Sequence, residues 1–375
     1  MKQLMLPEDM ICFPTVFAVG DNYQIFVLME REAVVRVRVG ERTFYDDACG
    51  VLRSGKQMHK IELPMCVLDA EGEYCVLWDN IIERKPYFPT SEPEQQLCIP
   101  FRPLPSEGKI NVYHIADAHN MVDEPVAAGR YFGDELHLLV LNGDIPDHSG
   151  LIENFYAICK IASGVTGGQC PTVCARGNHD CRGLHAEDMP DYIPTQNGKT
   201  YYTFRLGRVW GLVLDCGEDK EDDHGEYGVT VCFHDFRQRE TDYIRSVIAH
   251  AATEYAAEGV EHRLIISHAP FTHIDPPPFD IEQDIYAEWA RLVREHIKPT
   301  LQLHGHKHIV RIMRPHDDYD NFGLACPAVI GSKPLFKNNE RPTAAYIGAA
   351  VTLDGKRIRV IFNQSTGEII DKVEL

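Results

Sequence analysis

The sequence predicts an α/β protein in two parts: a small all-β sandwich over residues 1–104 and a layered α/β domain over 105–375. Three observations carry this. Before residue 84 apolar side chains alternate with a period of two, and no helical period is evident. From 84 to 108 the texture changes to the proline-rich ERKPYFPTSEPEQQLCIPFRPLPSEG. Beyond it, compact apolar runs alternate with amphipathic stretches at helical spacing.

In the first part, AVVRVRVG places Val35, Val37 and Val39 on one face and Arg36 and Arg38 on the other. YQIFVLME, QMHKIELPM and EYCVLWDNI supply further strands, separated by turns such as GDN and DAEGE. About 100 residues of this pattern fit a β-sandwich. The prolines of the connector favour an ordered, extended chain. In the second part INVYHIA, HLLVLN, PTVCA, VWGLVLD, RLIIS and TLQL read as buried strands. LIENFYAICKIA carries Ile152, Phe155, Cys159 and Ala162 at helical spacing. QRETDYIRSVIAHAATEYAAEG and IEQDIYAEWARLVREHI read as longer helices, and AAVTL and RIRVIF as C-terminal strands.

The formal net charge of -19, from 37 basic and 56 acidic side chains, disfavours duplex nucleic acid and anionic membranes as partners. A small phosphorylated substrate responds to the local field and stays open. MKQLMLPEDMICFP has neither the apolar core of a signal peptide nor the length of a membrane span, so a cytoplasmic protein is expected. The twelve cysteines form no CxxC pair. Cys170, Cys174 and Cys181 are spaced too irregularly for a zinc knuckle, and free thiols in a reducing compartment are expected.

Every cluster of potential ligands falls just past a buried run: Asp117-Ala-His119, Gly143-Asp144, Gly177-Asn178-His179-Asp180, His268, and Gly305-His306-Lys307-His308. Ligands gather at the carboxyl ends of strands in open α/β sheets, so five segments can converge there. In extended chain, residues two apart face the same side, which lets Asp117 act with His119 and His306 with His308. The mixed imidazole and oxygen set suits Zn, Mn or Fe. Taken singly, each of these residues is explained by capping, turn or core hydrogen bonding. The ordered set is what points to metal.

That order, D-x-H, G-D, G-N-H-D, H, G-H-x-H, resembles the calcineurin-like metallophosphoesterase superfamily over roughly residues 109 to 310. The resemblance implies a β-sandwich flanked by helices that carries a binuclear centre of two divalent transition-metal ions (Mn, Fe or Zn). Asp117, His119 and His308 would bind one metal and Asn178, His268 and His306 the other, with Asp144 bridging. The preceding β-domain, fibronectin III-like in size, is similar to the arrangement in purple acid phosphatases. That branch places a tyrosine three residues after the bridging aspartate, where this chain has Asp147, and a glycine where it has His119. A plain divalent pair is therefore expected. Two such ions, two aspartates and a bridging hydroxide would leave a net positive centre that attracts phosphate.

Under the same resemblance His179 is not a ligand and is a candidate to protonate the leaving oxygen or stabilise charge on the phosphoryl group. Asp180 is expected to orient His179 or to hold the turn. Arg182 either contacts the substrate phosphate through its planar fork or forms a salt bridge. Asp147 and His148 are expected to cap the following helix, His114 and His304 to support the strands, and His185, His234 and His273 are candidates for the pocket rim. Segments 181–200 and 217–240 are the expected pocket walls. The reading is hydrolysis of a phosphomonoester or phosphodiester. Its alternative is a non-catalytic scaffold of the same fold for protein interaction. A third possibility makes the β-domain a carbohydrate- or protein-binding module, though packing against the second part is its simpler role.

Overall fold

The computed structural model describes residues 4–47, 49–335 and 345–375, so the first three residues of the N-terminal stretch lie outside it. The chain opens with β1 (Thr15–Val19), β2 (Asn22–Leu28), β3 (Ala33–Val39), β4 (Arg42–Tyr45), β5 (Met58–Pro64), α1 (Met65–Glu71), β6 (Glu73–Glu83), β7 (Thr90–Ser91) and β8 (Gln95–Pro100). The alternation in β3 is realised: Val35, Val37 and Val39 are buried, and Arg36 on the opposite face pairs with Asp79 and Glu94. The helix α1 has no signature in the sequence. It is seven residues long and is closed by Gly72 at φ +70°, whose N–H donates to the Leu68 carbonyl.

Two sheets share these strands. β3, β4, β6, β7 and β8 form a separate antiparallel sheet, with β7 and β8 drawn from the proline-rich connector. β1, β2 and β5 instead extend the large sheet of the second part, through parallel pairing of β1 with a strand at residues 172–175. Cys75 and Cys98 sit opposite each other across β6 and β8 and are joined by a disulfide. This corrects the expectation of free thiols throughout. The pair is set by strand register between residues 23 apart, which no local spacing announces; the other ten cysteines are free.

The second part continues with β9 (Ile110–Ile115), α2 (Asp123–Gly129), β10 (Leu138–Asn142), α3 (Ile152–Thr166), β11 (Thr172–Ala175), β12 (Tyr202–Leu206), β13 (Val209–Leu214), α4 (Phe233–Ala249), β14 (His262–Ser267), α5 (Gln283–Leu292), β15 (Leu301–His304), β16 (Arg311–Met313), β17 (Ala328–Ile330), β18 (Lys333–Pro334), β19 (Tyr346–Asp354), β20 (Arg357–Gln364) and β21 (Ile369–Glu374). The large sheet runs β21-β20-β19-β9-β10-β11-β1-β2-β5, and the second runs β12-β13-β14-β15-β17-β16.

The two sheets face each other. Val112, Val140 and Val173 of the first share one apolar core with Val213, Leu264, Ile266 and Leu303 of the second. The alternate residues point outward: Tyr113, Leu139 and Leu141 pack with Phe155 and Ile158 of α3, and Leu212 and Ile265 pack with Ile244 of α4 and Trp289 of α5. With helices outside both sheets, these strands are buried on both faces, which is why they read as unbroken apolar runs. Val35, Val37, Val76 and Trp78 of the N-terminal sheet belong to the same central core. The first part therefore packs directly against the second.

The helix expected to run on to residue 259 ends at Ala249. Beyond it the chain turns back, and Tyr255 packs edge-on against Trp210, their ring centroids 5.6 Å apart. Burying that aromatic pair needs a direction the helix axis does not provide. Among the described residues no helix is long and apolar enough to cross a membrane.

Candidate metal centre

β9, β10 and β11 are parallel neighbours in one sheet, and β14 and β15 are parallel neighbours in the other. Their carboxyl ends consequently lie on the same edge of the sandwich, and the five ligand-bearing segments meet there. Backbone bonds stitch the turns within each sheet. The N–H groups of Asp117 and His119 donate to the carbonyls of Gly143 (3.0 Å) and Asp144 (2.9 Å), and Gly305 N–H donates to His268 O (2.8 Å). Other bonds cross between the sheets. His306 N–H reaches the Asp117 carboxylate at 2.9 and 3.1 Å, and His268 Nδ1 donates to the Asn142 carbonyl at 2.7 Å.

The candidate ligands collect into two sets, and His119 also belongs to a third with Asp147 and His179. Asp117, His119 and His308 present donor atoms within 4.8 Å of one another, and so do Asp144, His268 and His306. Asn178 joins the second set, with Oδ1 3.0 Å from His306 Nδ1. His119 Nε2 and His308 Nε2 are 3.0 Å apart, and His268 Nε2 is 3.1 Å from Asp144 Oδ2 and 3.8 Å from Asp117 Oδ1. All seven candidate ligands are thus brought together, Asp144 lying with the second set.

The backbone is strained at the same place. Asp117, His119, Asp144, His306 and His308 all have φ between +45° and +67°, in the left-handed region that non-glycine residues avoid. Neighbouring glycines make room. A Cβ on Gly177 would lie 2.3 Å from Asp144 Oδ1, and one on Gly143 would lie 2.5 Å from His268 Nδ1. The fold spends conformational energy to aim these five side chains, as expected of a site rather than of a turn.

Two observations test whether a metal fits. The buried nitrogens His119 Nδ1 and His268 Nε2 face the carboxylates of Asp147 (3.5 Å) and Asp144 (3.1 Å) without well-directed hydrogen-bond geometry, an arrangement that leaves both nitrogens able to turn to an ion. The charge balance also calls for a cation. Asp117 and Asp144 are fully buried, and although burial pushes both carboxyls up, their histidine neighbours hold both below the ordinary value. Burial lowers His268 in turn, but Asp144 and Asp117 override it and raise it to about 10. Two carboxylates closed in by imidazoles demand positive charge, and the donor set suits a borderline divalent ion.

His179 sits beside the ligands, its ring 4.7 Å from that of His119. Its Nδ1 donates to the Asp147 carbonyl at 2.8 Å, which fixes the tautomer and leaves Nε2 as the second nitrogen. Burial lowers His179 to about 4, against the pull of Asp144. Asp180 does not touch that ring. Its Oδ2 accepts the N–H groups of Gly177 (2.7 Å) and Asp144 (3.3 Å), so it holds the turn. Burial, with Asp144 adding, pushes its carboxyl up to about 7.

Arg182 spends its fork inside the protein. Nε and Nη2 bond the carboxylate of Glu218 at 2.8–3.0 Å, and Nη2 also reaches Asp219 at 3.0 Å. Asp219 in turn accepts from Asn178 Nδ2 at 3.2 Å. Asp147 does not cap α3, which starts on Leu151 with no side-chain cap. Its carboxylate lies 3.5 Å from His119 Nδ1, while His148 accepts the Gly150 N–H within the turn. His114 and His304 are buried supports, bonded to Asn142 and Ser267. His185 and His234 pair with Asp188 and Glu282, and His273 stacks on Tyr319.

Several contributors carry no motif. Asn142 Nδ2 donates to the carbonyls of Ser267 and Leu303, tying the two sheets below the centre. Tyr346 Oη bonds Ala116 on both its N–H and its carbonyl. A cavity beside Asn178, His268 and His306 is walled by residues 216–219 and 269–281, and segment 181–200 supplies none of its lining. Of these, Asn142 offered a sequence cue, as a polar residue at the end of an otherwise apolar run.

A family model described as Calcineurin-like phosphoesterase matches residues 110–310. A search of curated proteins returns no match. Among solved structures, a purple acid phosphatase (PPD1, from yellow lupin, Lupinus luteus, seeds) is similar at a TM-score of 0.60 and 11% identity, covering 96% of this chain and 73% of its own. PhoD is similar at 0.55 and 10% identity, covering 98% and 94%. At these identities the likeness concerns the fold.

Proposed function

The chain belongs to the calcineurin-like phosphoesterase family, and from that premise we propose that it hydrolyses a phosphomonoester or phosphodiester at a centre of two divalent metal ions. Asp117, His119 and His308 would hold one ion, Asn178, His268 and His306 the other, and Asp144 would stand between them. When bound, the ions supply Lewis acidity and an activated water for displacement at phosphorus. The observation that carries the reading is the convergence of seven buried or half-buried donor side chains from five segments on one edge of the sandwich.

The chain's own residues have separable tasks. Asp180 and the glycine turns fix the position of Asp144. Asp219 orients the Asn178 amide so that Oδ1, not the nitrogen, faces His306. His179, anchored through Nδ1, offers Nε2 to the substrate. An anionic phosphoester beside it favours the imidazolium, which can then give its proton to the leaving oxygen. Arg182 acts on the site through Glu218 and Asp219.

The test is metal analysis of the purified protein together with a panel of phosphomonoesters and phosphodiesters. Wild type should hold close to two transition-metal ions per chain and turn over at least one ester class. Asp144→Asn should lose both metal and activity. Full retention of either would sink the assignment, and metal binding without any turnover would favour the scaffold reading.

A further inference from the structure

The cavity beside Asn178, His268 and His306 has a volume of about 40 Å³ and is partly open to solvent, so it seats one part of a ligand and not the whole of it. Its chemistry is uneven. Phe271, Phe279, Ile281, Tyr286 and Phe322 give it apolar, largely aromatic walls. Among the described residues no lysine or arginine lines it, whereas Glu218, Asp219, Asp275 and Asp280 do.

Three of these carboxylates are matched from outside. Arg182 holds Glu218 and Asp219, Lys220 also reaches Asp219 at 3.3 Å, and Lys307 pairs with Asp275. Lys220 lies 5.1 Å from the Phe279 ring centroid but is tied to Asp219 and Glu226. Asp280 has no basic partner among the described residues; only its backbone carbonyl is engaged, by Gln283 Nε2. The cavity therefore joins the ligands of one metal to an aromatic wall and an unneutralised carboxylate.

We infer that this cavity receives the alcohol part of the phosphoester, and that the alcohol is aromatic or otherwise apolar and carries no further negative charge. The inference rests on the phosphoesterase reading. In the reaction water adds to phosphorus, the bond from phosphorus to the alcohol oxygen breaks with its electron pair on that oxygen, and the alcohol leaves protonated. A benzyl-like group would exchange water for contact with the side chains of Phe279, Tyr286 and Phe322. A second phosphate or a carboxylate at the far end of the same alcohol, away from the metal ligands, would meet Asp280 with no lysine or arginine among the described lining residues to offset it. Phe279 and Asp280 are thus specificity-determining residues, one by attraction and one by exclusion.

The experiment uses metal-loaded protein and matched pairs. Calorimetric titration compares benzylphosphonate with 4-carboxybenzylphosphonate, which bind without turnover. Kinetics compare benzyl phosphate with its 4-carboxy analogue, and their methyl diesters. Benzylphosphonate should bind about tenfold or more tightly than the carboxylate. Asp280→Asn should narrow that ratio, and Phe279→Ala should weaken benzylphosphonate by roughly tenfold relative to methylphosphonate. Equal affinity of the two phosphonates, a preference for the carboxylate, or an unchanged ratio in Asp280→Asn overturns the inference. Discrimination between phosphonates without hydrolysis of any ester leaves the cavity assignment standing and removes the phosphoesterase reading. Hydrolysis of all the esters without discrimination does the reverse.

Discussion

Gly177→Ala gives the sharpest test of how the centre is built. Gly177 packs against Asp144: an added Cβ would lie 2.3 Å from Asp144 Oδ1, 2.4 Å from its backbone nitrogen and 3.0 Å from its Cγ. Ordinary contact begins at 3.4 Å, so the turn and the aspartate must part by about 1 Å. Asp144 N is backbone, and Asp144 Oδ1 is held by the His179 N–H at 2.8 Å, so neither yields freely. Overpacking of this kind costs about 1–3 kcal/mol, which lowers Tm by roughly 2–4 °C per kcal/mol in a chain of this size or somewhat less. The functional loss should be larger in proportion, since displacing a reacting geometry by about 1 Å can cost on the order of 10²-fold in rate. Thermal unfolding, metal content and kcat/KM are measured on wild type, Gly177→Ala and Gly225→Ala. Gly225 faces open space with no left-handed φ, so its alanine should be neutral or stabilise by about 0.4–1 kcal/mol. If Gly177→Ala kept full metal content and the wild-type rate, Asp144 would not be packed against this turn, and the account of its positioning would fail.

Arg182→Ala should destabilise by about 1–3 kcal/mol, toward the lower figure because the arginine side chain is 31% exposed, while Glu218 at 1% is left short of its cation. Arg182→Lys should not restore it, since an ammonium cannot reproduce the bidentate fork; unchanged stability in urea with a raised KM would instead assign the arginine to substrate. His179→Ala should keep its metal yet slow turnover of an alkyl phosphoester by about 10²–10⁴-fold, and an unchanged rate with that substrate would remove its role as acid. His59 is fully buried in β5, and burial lowers it from 6.5 to about 4. Its unfolded form therefore takes up a proton first as pH falls, so stability present above about 6.5 is lost toward pH 4. In His59→Leu that acid-side loss should shrink by up to about 3 kcal/mol in chemical denaturation across this range; parallel curves would mean that the folded state already protonates His59.

The parts of this protein that were legible in its sequence are those written in neighbouring residues. Unbroken apolar runs marked β9, β10, β11, β13, β14 and β15, because both faces of each are buried. The polar groups that follow them could be read as converging ligands, because parallel strands end on one edge. Val35, Val37 and Val39 announced the face of β3. The rest depends on partners far apart in the chain. β1, β2 and β5 join the large sheet through pairing of Phe17 with Thr172, and Cys75 meets Cys98 through register. Asp147 reads locally as a helix cap, yet the turn carries its carboxylate to His119 and its carbonyl to His179. Arg182 could have faced a phosphate, but Glu218 and Asp219, brought in by the end of β13, hold its fork. Residue types and turn glycines thus determined which atoms could act. Tertiary structure decided where they point, because a left-handed backbone at Asp117, Asp144 and His306 is tolerated only when contacts from both sheets hold it.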